Sequence, residues 1–282
     1  MKNILVPFDF SKTAEAALNL ALDIAAKQNG AVSLLYVIAD PFAVKSGSGL
    51  NEKEYRNSNI RKFLEAVKKD SFANLKTVID KLPNRKAGIK PFVSVNPSVY
   101  QGILKFVSSK KISLIVMGTH GASDIKTKFM GTNTERVFRM TKKPVLIVSD
   151  KIAKPDFSKI VFATDLSAAS QKVLGKAISF LKPYSSKIDI LRINSPKDSI
   201  RSTYAVGLMR SFTKKFKSEF DFIIHDSGSP EEGINEYCVK TKADLLVIGV
   251  HRKKGFKRLF TDRISESISR TAKLPVLTID IS

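Results

Sequence analysis

Short apolar runs recur along the chain, and each is followed by a stretch in which Ala, Leu and Ile return every third or fourth position. Ile4-Leu5-Val6, Val32–Val37, Leu114–Met117 and Val145–Val148 are runs of the first kind. They are too short for helices and rich in the β-branched residues that suit a pleated surface. Residues 13–28 are of the second kind, with Ala/Leu at helical spacing and Gly30 as the expected stop. Residues 51–81 form a long charged helical stretch, one bent helix or two joined ones, after a Gly47-Ser48-Gly49 connector. Strand-like runs that alternate with helical stretches predict βαβ units, hence a parallel sheet with helices on its faces. In such sheets ligands bind beyond the carboxyl ends of the strands, which is where Asp9, Val37 and Gly118 fall.

The pattern runs twice. Asn3–Ser11 aligns with Lys159–Ser167, and Val32–Val37 with Ile188–Ile193, both 156 residues on. Further along, Ser113–Gly118 aligns with Asp244–Gly249 and Lys143–Leu146 with Leu274–Leu277, both 131 residues on. The second repeat is therefore shorter between its second and third strands, where residues 199–218 replace the long charged stretch. Two tandem, doubly wound α/β domains are expected, at residues 1–150 and 151–282, with the boundary in the polar segment Ser149–Pro155.

The chemistry concentrates after the run Leu114–Met117. Gly118-Thr119-His120-Gly121 is followed nine residues later by Gly131-Thr132-Asn133, where a helical pattern begins. Glycines let the backbone approach a ligand closely, since no Cβ intervenes. A helix start then offers unpaired N–H groups and a favourable dipole to an anion. Gly131, Thr132 and Asn133 stand where a phosphate would rest. Asp9, at the end of the first strand, is expected to bind a ligand, since the glycine motif falls on the same edge, and it can at the same time cap the first helix by accepting N–H bonds.

The spacing Gly118-x2-Gly121-x9-Gly131-Thr132 after a strand resembles the ATP-binding signature of the universal stress protein family. Asn3–Ser11 resembles the family's first strand and its Asp, and Lys143–Val148 its last strand. The resemblance covers residues 1–150 and, as a second copy, most of the rest. It implies Rossmann-like domains of the adenine nucleotide alpha hydrolase kind, with twisted five-stranded parallel sheets. It also implies a pseudo-dimer paired through Val145–Val148 and Val276–Ile279, whose edges invite pairing. In the first domain it implies one ATP, with or without Mg²⁺ carried on its phosphates. Asp9 and Pro7 would contact the adenosine part and the backbone of Val37 the adenine. Met117, Gly118, Gly121, Gly131, Thr132 and Asn133 would complete the site, the last five as the phosphate cradle. The implied role is a nucleotide-dependent regulatory switch in a stress response, acting on partner proteins.

The second repeat departs from that signature. Gly249 survives, but Arg252 replaces Gly121, Asp262 replaces Gly131 and Arg263 replaces Thr132. An Arg side chain blocks close backbone approach and Asp262 repels a phosphate, so no ATP is expected there. Asp165 is expected to persist as a helix cap. Neither His120, its counterpart His251, nor His225 in a strand-like run has an evident nucleophile beside it, and no metal-ligand spacing occurs.

Bulk properties change this picture in one respect. The formal net charge is +22 and divides almost evenly between the halves, and residues 251–258 carry five positive side chains. A dispersed basic surface attracts polyanions weakly and in a salt-dependent way. The alternatives to the switch are thus a slow ATPase or autophosphorylating protein, and a scaffold that binds polyanions and no nucleotide. A homo-dimer also stands open. Cys238 is the only cysteine, so no intrachain disulfide forms and a reducing cytoplasm is the expected compartment. Asp9 and Lys12 interrupt the opening apolar run, and no stretch approaches the ~18 apolar residues of a membrane span.

Overall fold

In a computed structural model of the chain, residues 3–40, 59–82, 88–119, 131–149, 156–250 and 274–281 are described. They fall into two compact units. The first comprises Met1–Met117 and Gly131–Thr141, and the second Lys142–Ser282 together with Gly118 and Thr119.

The first unit opens with β1 (Asn3–Pro7) and α1 (Lys12–Lys27), followed by β2 (Ala31–Ala39) and α2 (Asn59–Asp80). After these come β3 (Gly88–Asn96), α3 (Val99–Ser109), β4 (Leu114–Gly118) and α4 (Thr132–Met140). Its strands lie in the order β3-β2-β1-β4, and every pairing is parallel. Ile4, Leu5 and Val6 are wholly buried because β1 has a strand on each side and helices over its faces. On α1 the buried positions Ala14, Ala17, Leu18, Ala21, Ile24 and Ala25 trace one stripe at helical spacing. The stop differs in detail from the expectation. Asn29 already takes the left-handed conformation (φ 49°), one residue before Gly30, and the Gly30 N–H donates to the Ala25 carbonyl at 2.8 Å. Asn tolerates that region because its short amide can bond locally. The long charged stretch is continuous helix over Asn59–Asp80, while residues 47–49 and 51–58 lie outside the described residues.

The second unit contains β5 (Val145–Val148), β6 (Lys159–Ala163), α5 (Ala168–Leu181), β7 (Lys187–Asn194) and α6 (Ser202–Thr213). It continues with β8 (Phe220–Asp226), α7 (Pro230–Thr241), β9 (Leu245–Val250) and β10 (Val276–Asp280). Five parallel strands run in the order β10-β9-β6-β7-β8. The strand β5 joins them antiparallel, with Val276 opposite Ile147 and Thr278 opposite Val145. The two closing strands of the repeats therefore pair as expected. The buried Thr278 hydroxyl donates to the Val145 carbonyl across this seam at 3.1 Å. Helix α6, of 12 residues, is the short counterpart of the 22-residue α2, and so accounts for part of the length difference between the repeats.

Candidate functional site

Parallel pairing puts the carboxyl ends of β1, β2 and β4 on one edge of the first unit. At that edge β1 stops at Pro7, and the Phe8 N–H donates to the Leu35 carbonyl of β2 at 2.8 Å. The chain then turns sharply: Phe10 adopts φ 63°, a conformation that costs a bulky L-residue about 1 kcal/mol or more. The Asp9 carboxylate holds the turn, accepting from the Ser11 N–H at 3.1 Å and the Ser11 hydroxyl at 2.6 Å. Ser11 is the helix cap, its Oγ accepting from the Ala14 N–H at 3.2 Å. Asp9 thus braces the cap rather than supplying it. Pro7 and Asp9 are half-buried at this edge.

Val37 lies two residues beyond Leu35 on β2. In a parallel ladder alternate residues direct their backbone groups to the same side. The Leu35 carbonyl faces β1, so the Val37 N–H and C=O face the space past the end of β1. The Val37 side chain lies on the opposite concern of the fold, the packing against α3. A Cβ built on Gly102 would come within 2.5 Å of Val37 Cγ1 and 2.9 Å of Asn96 Nδ2. Only a glycine lets α3 approach β2 this closely.

Met117 is buried near the end of β4, and Gly118 is its last residue. Residues 120–130, which include His120 and Gly121, lie outside the described residues. Gly131 is the N-cap of α4, buried, with φ −60° and ψ 141°. Thr132 is exposed and Asn133 half-buried on the first turn. Their N–H groups belong to the first turn, whose donors lack intrahelical acceptors. The guanidinium of Arg136 sits 4.9 Å from the centroid of Tyr100, on the first turn of α3. Since α3 starts where β3 ends, this contact fixes the start of α4 at the same edge as Asp9 and Val37. The structure brings Pro7, Asp9, Val37, Met117, Gly131, Thr132 and Asn133 to one edge of one unit.

The second repeat keeps the turn and changes its lining. Leu166 repeats the φ of 63°, Asp165 Oδ1 accepts from the Ser167 N–H at 3.0 Å, and Ser167 caps α5. Asp165 also accepts from the Ser170 hydroxyl at 2.5 Å, where the first repeat has Ala14. Neighbouring atoms strip water from the Asp165 carboxyl and would raise its pKa, but the bonds from Ser170 and Ser167 together hold it below the usual value of 3.8. A depressed carboxylate stabilises the fold above the unfolded-state pKa and loses that contribution as pH falls through the folded one. The thermal-stability gap between the native chain and Asp165→Asn should therefore be constant from pH 7 to about 5 and shrink below about 4. A gap that widens on acidification would show the sign to be wrong. The positions Arg252, Asp262 and Arg263, and the basic residues 251–258, lie outside the described residues.

Comparison with known proteins bears on what such an edge is. A sequence model of the Universal stress protein family matches this chain twice, over residues 1–149 and 156–280. The chain belongs to the universal stress protein family. Universal stress protein Slr1230 of Synechocystis is 26% identical over 296 residues, covering 99% of both chains. Universal stress protein MJ0577 of Methanocaldococcus jannaschii is 31% identical over 160 residues, covering 53% of this chain and 96% of its own. Among solved structures, a universal stress protein from Archaeoglobus fulgidus is 22% identical with a TM-score of 0.76, covering 99% of this chain and 98% of its own. That likeness shows the fold. Among the described residues no helix is long and apolar enough to cross a membrane.

Reading the sequence did not single out Ser11 or Phe10. The Asp-Phe-Ser and Asp-Leu-Ser triplets were the available signal, since a Ser just before a helical pattern is a cap signature.

Proposed function

We propose that the first repeat of this universal stress protein binds one adenine nucleotide at the edge described above, and that occupancy switches what the protein contacts. The carrying observation is the convergence of two ligand-ready backbone edges within one unit. The Val37 N–H and C=O face past the end of β1, and α4 begins on a glycine at the same edge. The first suits the hydrogen-bonding edge of a purine, and the second suits phosphate oxygens, favoured by the helix dipole. The donor set fits ATP: neutral backbone groups at one end, N–H groups with the Thr132 hydroxyl at the other, and the Asp9 carboxylate between them for ribose hydroxyls. Among the described residues no three His, Cys, Asp or Glu side chains gather to hold a metal. A Mg²⁺ ion would be held by the phosphates, adding charge neutralisation there. A bound nucleotide moves the protein between states only in so far as it binds one state better than the other.

The second repeat is proposed to take no nucleotide in this manner, because Asp262 and Arg263 replace Gly131 and Thr132. Mass spectrometry of small molecules released by denaturing the purified protein tests both statements. One adenine nucleotide per chain is expected. Two per chain would overturn the asymmetry. None, with no binding after ATP and Mg²⁺ are added, would leave a scaffold whose net charge of +22 draws polyanions.

A further inference from the structure

Three aromatic rings meet where β1 turns into α1. The centroid of Phe10 lies 5.2 Å from Phe8, edge to face, and 5.5 Å from Tyr36. Phe10 remains 40% exposed, while Phe8 beneath it is buried. An apolar ring left open beside polar turn atoms, on a strained backbone, needs an account.

The turn itself does not require the ring. In the second repeat Leu166 adopts the same φ of 63°, Thr164 stands for Phe8 and the buried Arg192 stands for Tyr36. The backbone is repeated and the aromatic trio is not. The trio occurs in the repeat whose glycine spacing is intact.

We infer that Phe10, backed by Tyr36, is the platform on which the base of the bound nucleotide stacks. The inference rests on the nucleotide reading given above and names which part of the ligand this turn recognises. Backbone groups of Val37 address the edge of a base lying past the end of β1, and hydrogen bonds in the plane of a base leave both its π-faces uncovered. Tyr36 is the strand neighbour of Val37, so its side chain stands on the opposite face of β2 from the Val37 side chain. Phe10 lies against that ring, in the turn just past the end of β1. A base held there has one face toward Phe10. Stacking covers the exposed ring, dries the hydrogen bonds beside it and favours the larger purine over a pyrimidine.

Phe10→Leu is the informative substitution, because the second repeat already tolerates Leu at this φ. Calorimetric titration would use ATP, CTP and inorganic tripolyphosphate against the native chain, Phe10→Leu and Phe10→Trp. The Leu variant should bind ATP about tenfold more weakly, within the range that base–aromatic stacking contributes. It should also narrow the preference for ATP over CTP, bind tripolyphosphate as the native chain does, and have its ATP affinity restored by Trp. Unchanged ATP affinity in Phe10→Leu overturns the stacking role. So does an equal loss for ATP and tripolyphosphate, which marks a deformed turn. A native chain that binds no ATP overturns the nucleotide reading, and the stacking role with it.

Discussion

Gly131→Asp should abolish binding of an adenine nucleotide while leaving the ligand-free protein folded. The backbone at Gly131, φ −60° and ψ 141°, is open to any residue, so the turn does not need a glycine for its conformation. Asp is moreover a better N-cap than Gly by a few tenths of a kcal/mol, since its carboxylate accepts from the first-turn N–H groups. Those are the same N–H groups proposed for the phosphate. A carboxylate in their midst competes for them and repels the ligand by about 4 kcal/mol at 4 Å near a protein surface, roughly a thousandfold in affinity. The chain carries this substitution already, as Asp262 in the second repeat. Titration with ATP and thermal unfolding without it give the two readouts. ATP affinity within threefold of the native value would remove the phosphate from the start of α4.

A second large effect is expected at Gly102. Helix propensity alone says that Gly102→Ala should stabilise α3 by about 1 kcal/mol. Packing says the reverse, because the new methyl would lie 2.5 Å from Val37 Cγ1, inside contact distance. Overpacking of this kind costs ~1–3 kcal/mol, and here it pushes on β-sheet side chains fixed by the pairing of β2 with β3. The net expectation is a loss of about 1 kcal/mol, read as a fall of roughly 2–4 °C in the unfolding midpoint. Val37→Ala in the same chain removes the obstructing methyls, so the double variant should be more stable than the two single losses sum to. A rise in midpoint for Gly102→Ala would mean that α3 slides freely over β2. The second repeat makes the same contact, with Gly233 against Ile193, where an added Cβ would meet Cδ1 at 2.9 Å.

The periodicity of the sequence carried the strands and helices because each has a single burial environment. Val32–Val37 is apolar but for Ser33 and the Tyr36 hydroxyl since β2 is largely covered on both faces, and the α1 stripe repeats at helical spacing since only one side meets the sheet. Repetition then carried the topology, including the meeting of β5 with β10. What stayed hidden depends on one or two torsions. Nothing in the residue type announces that Phe10 and Leu166 are left-handed, for bulky residues avoid that region. The role of Asp9 went the same way: an Asp before a helix reads as a cap, whereas the turn at Phe10 brings Ser11 to the cap position and leaves Asp9 to brace it. In the site, Pro7, Asp9, Val37, Met117, Gly131, Thr132 and Asn133 were legible as strand ends and a helix start. The aromatic trio was not, because Phe8, Phe10 and Tyr36 meet only once β1 and β2 pair.

The antiparallel seam between β5 and β10 bears on how such a chain can be dissected. Val145–Val148 closes the first repeat in sequence but lies wholly buried in the unit of the second. A cut between the repeats therefore does not return two finished halves. Each fragment would carry a four- or five-residue apolar strand whose hydrogen-bonding edge has lost its complement, and the nearest substitute is the same strand on another copy. In the intact chain the covalent link supplies each strand with its partner, so this pairing does not depend on protein concentration.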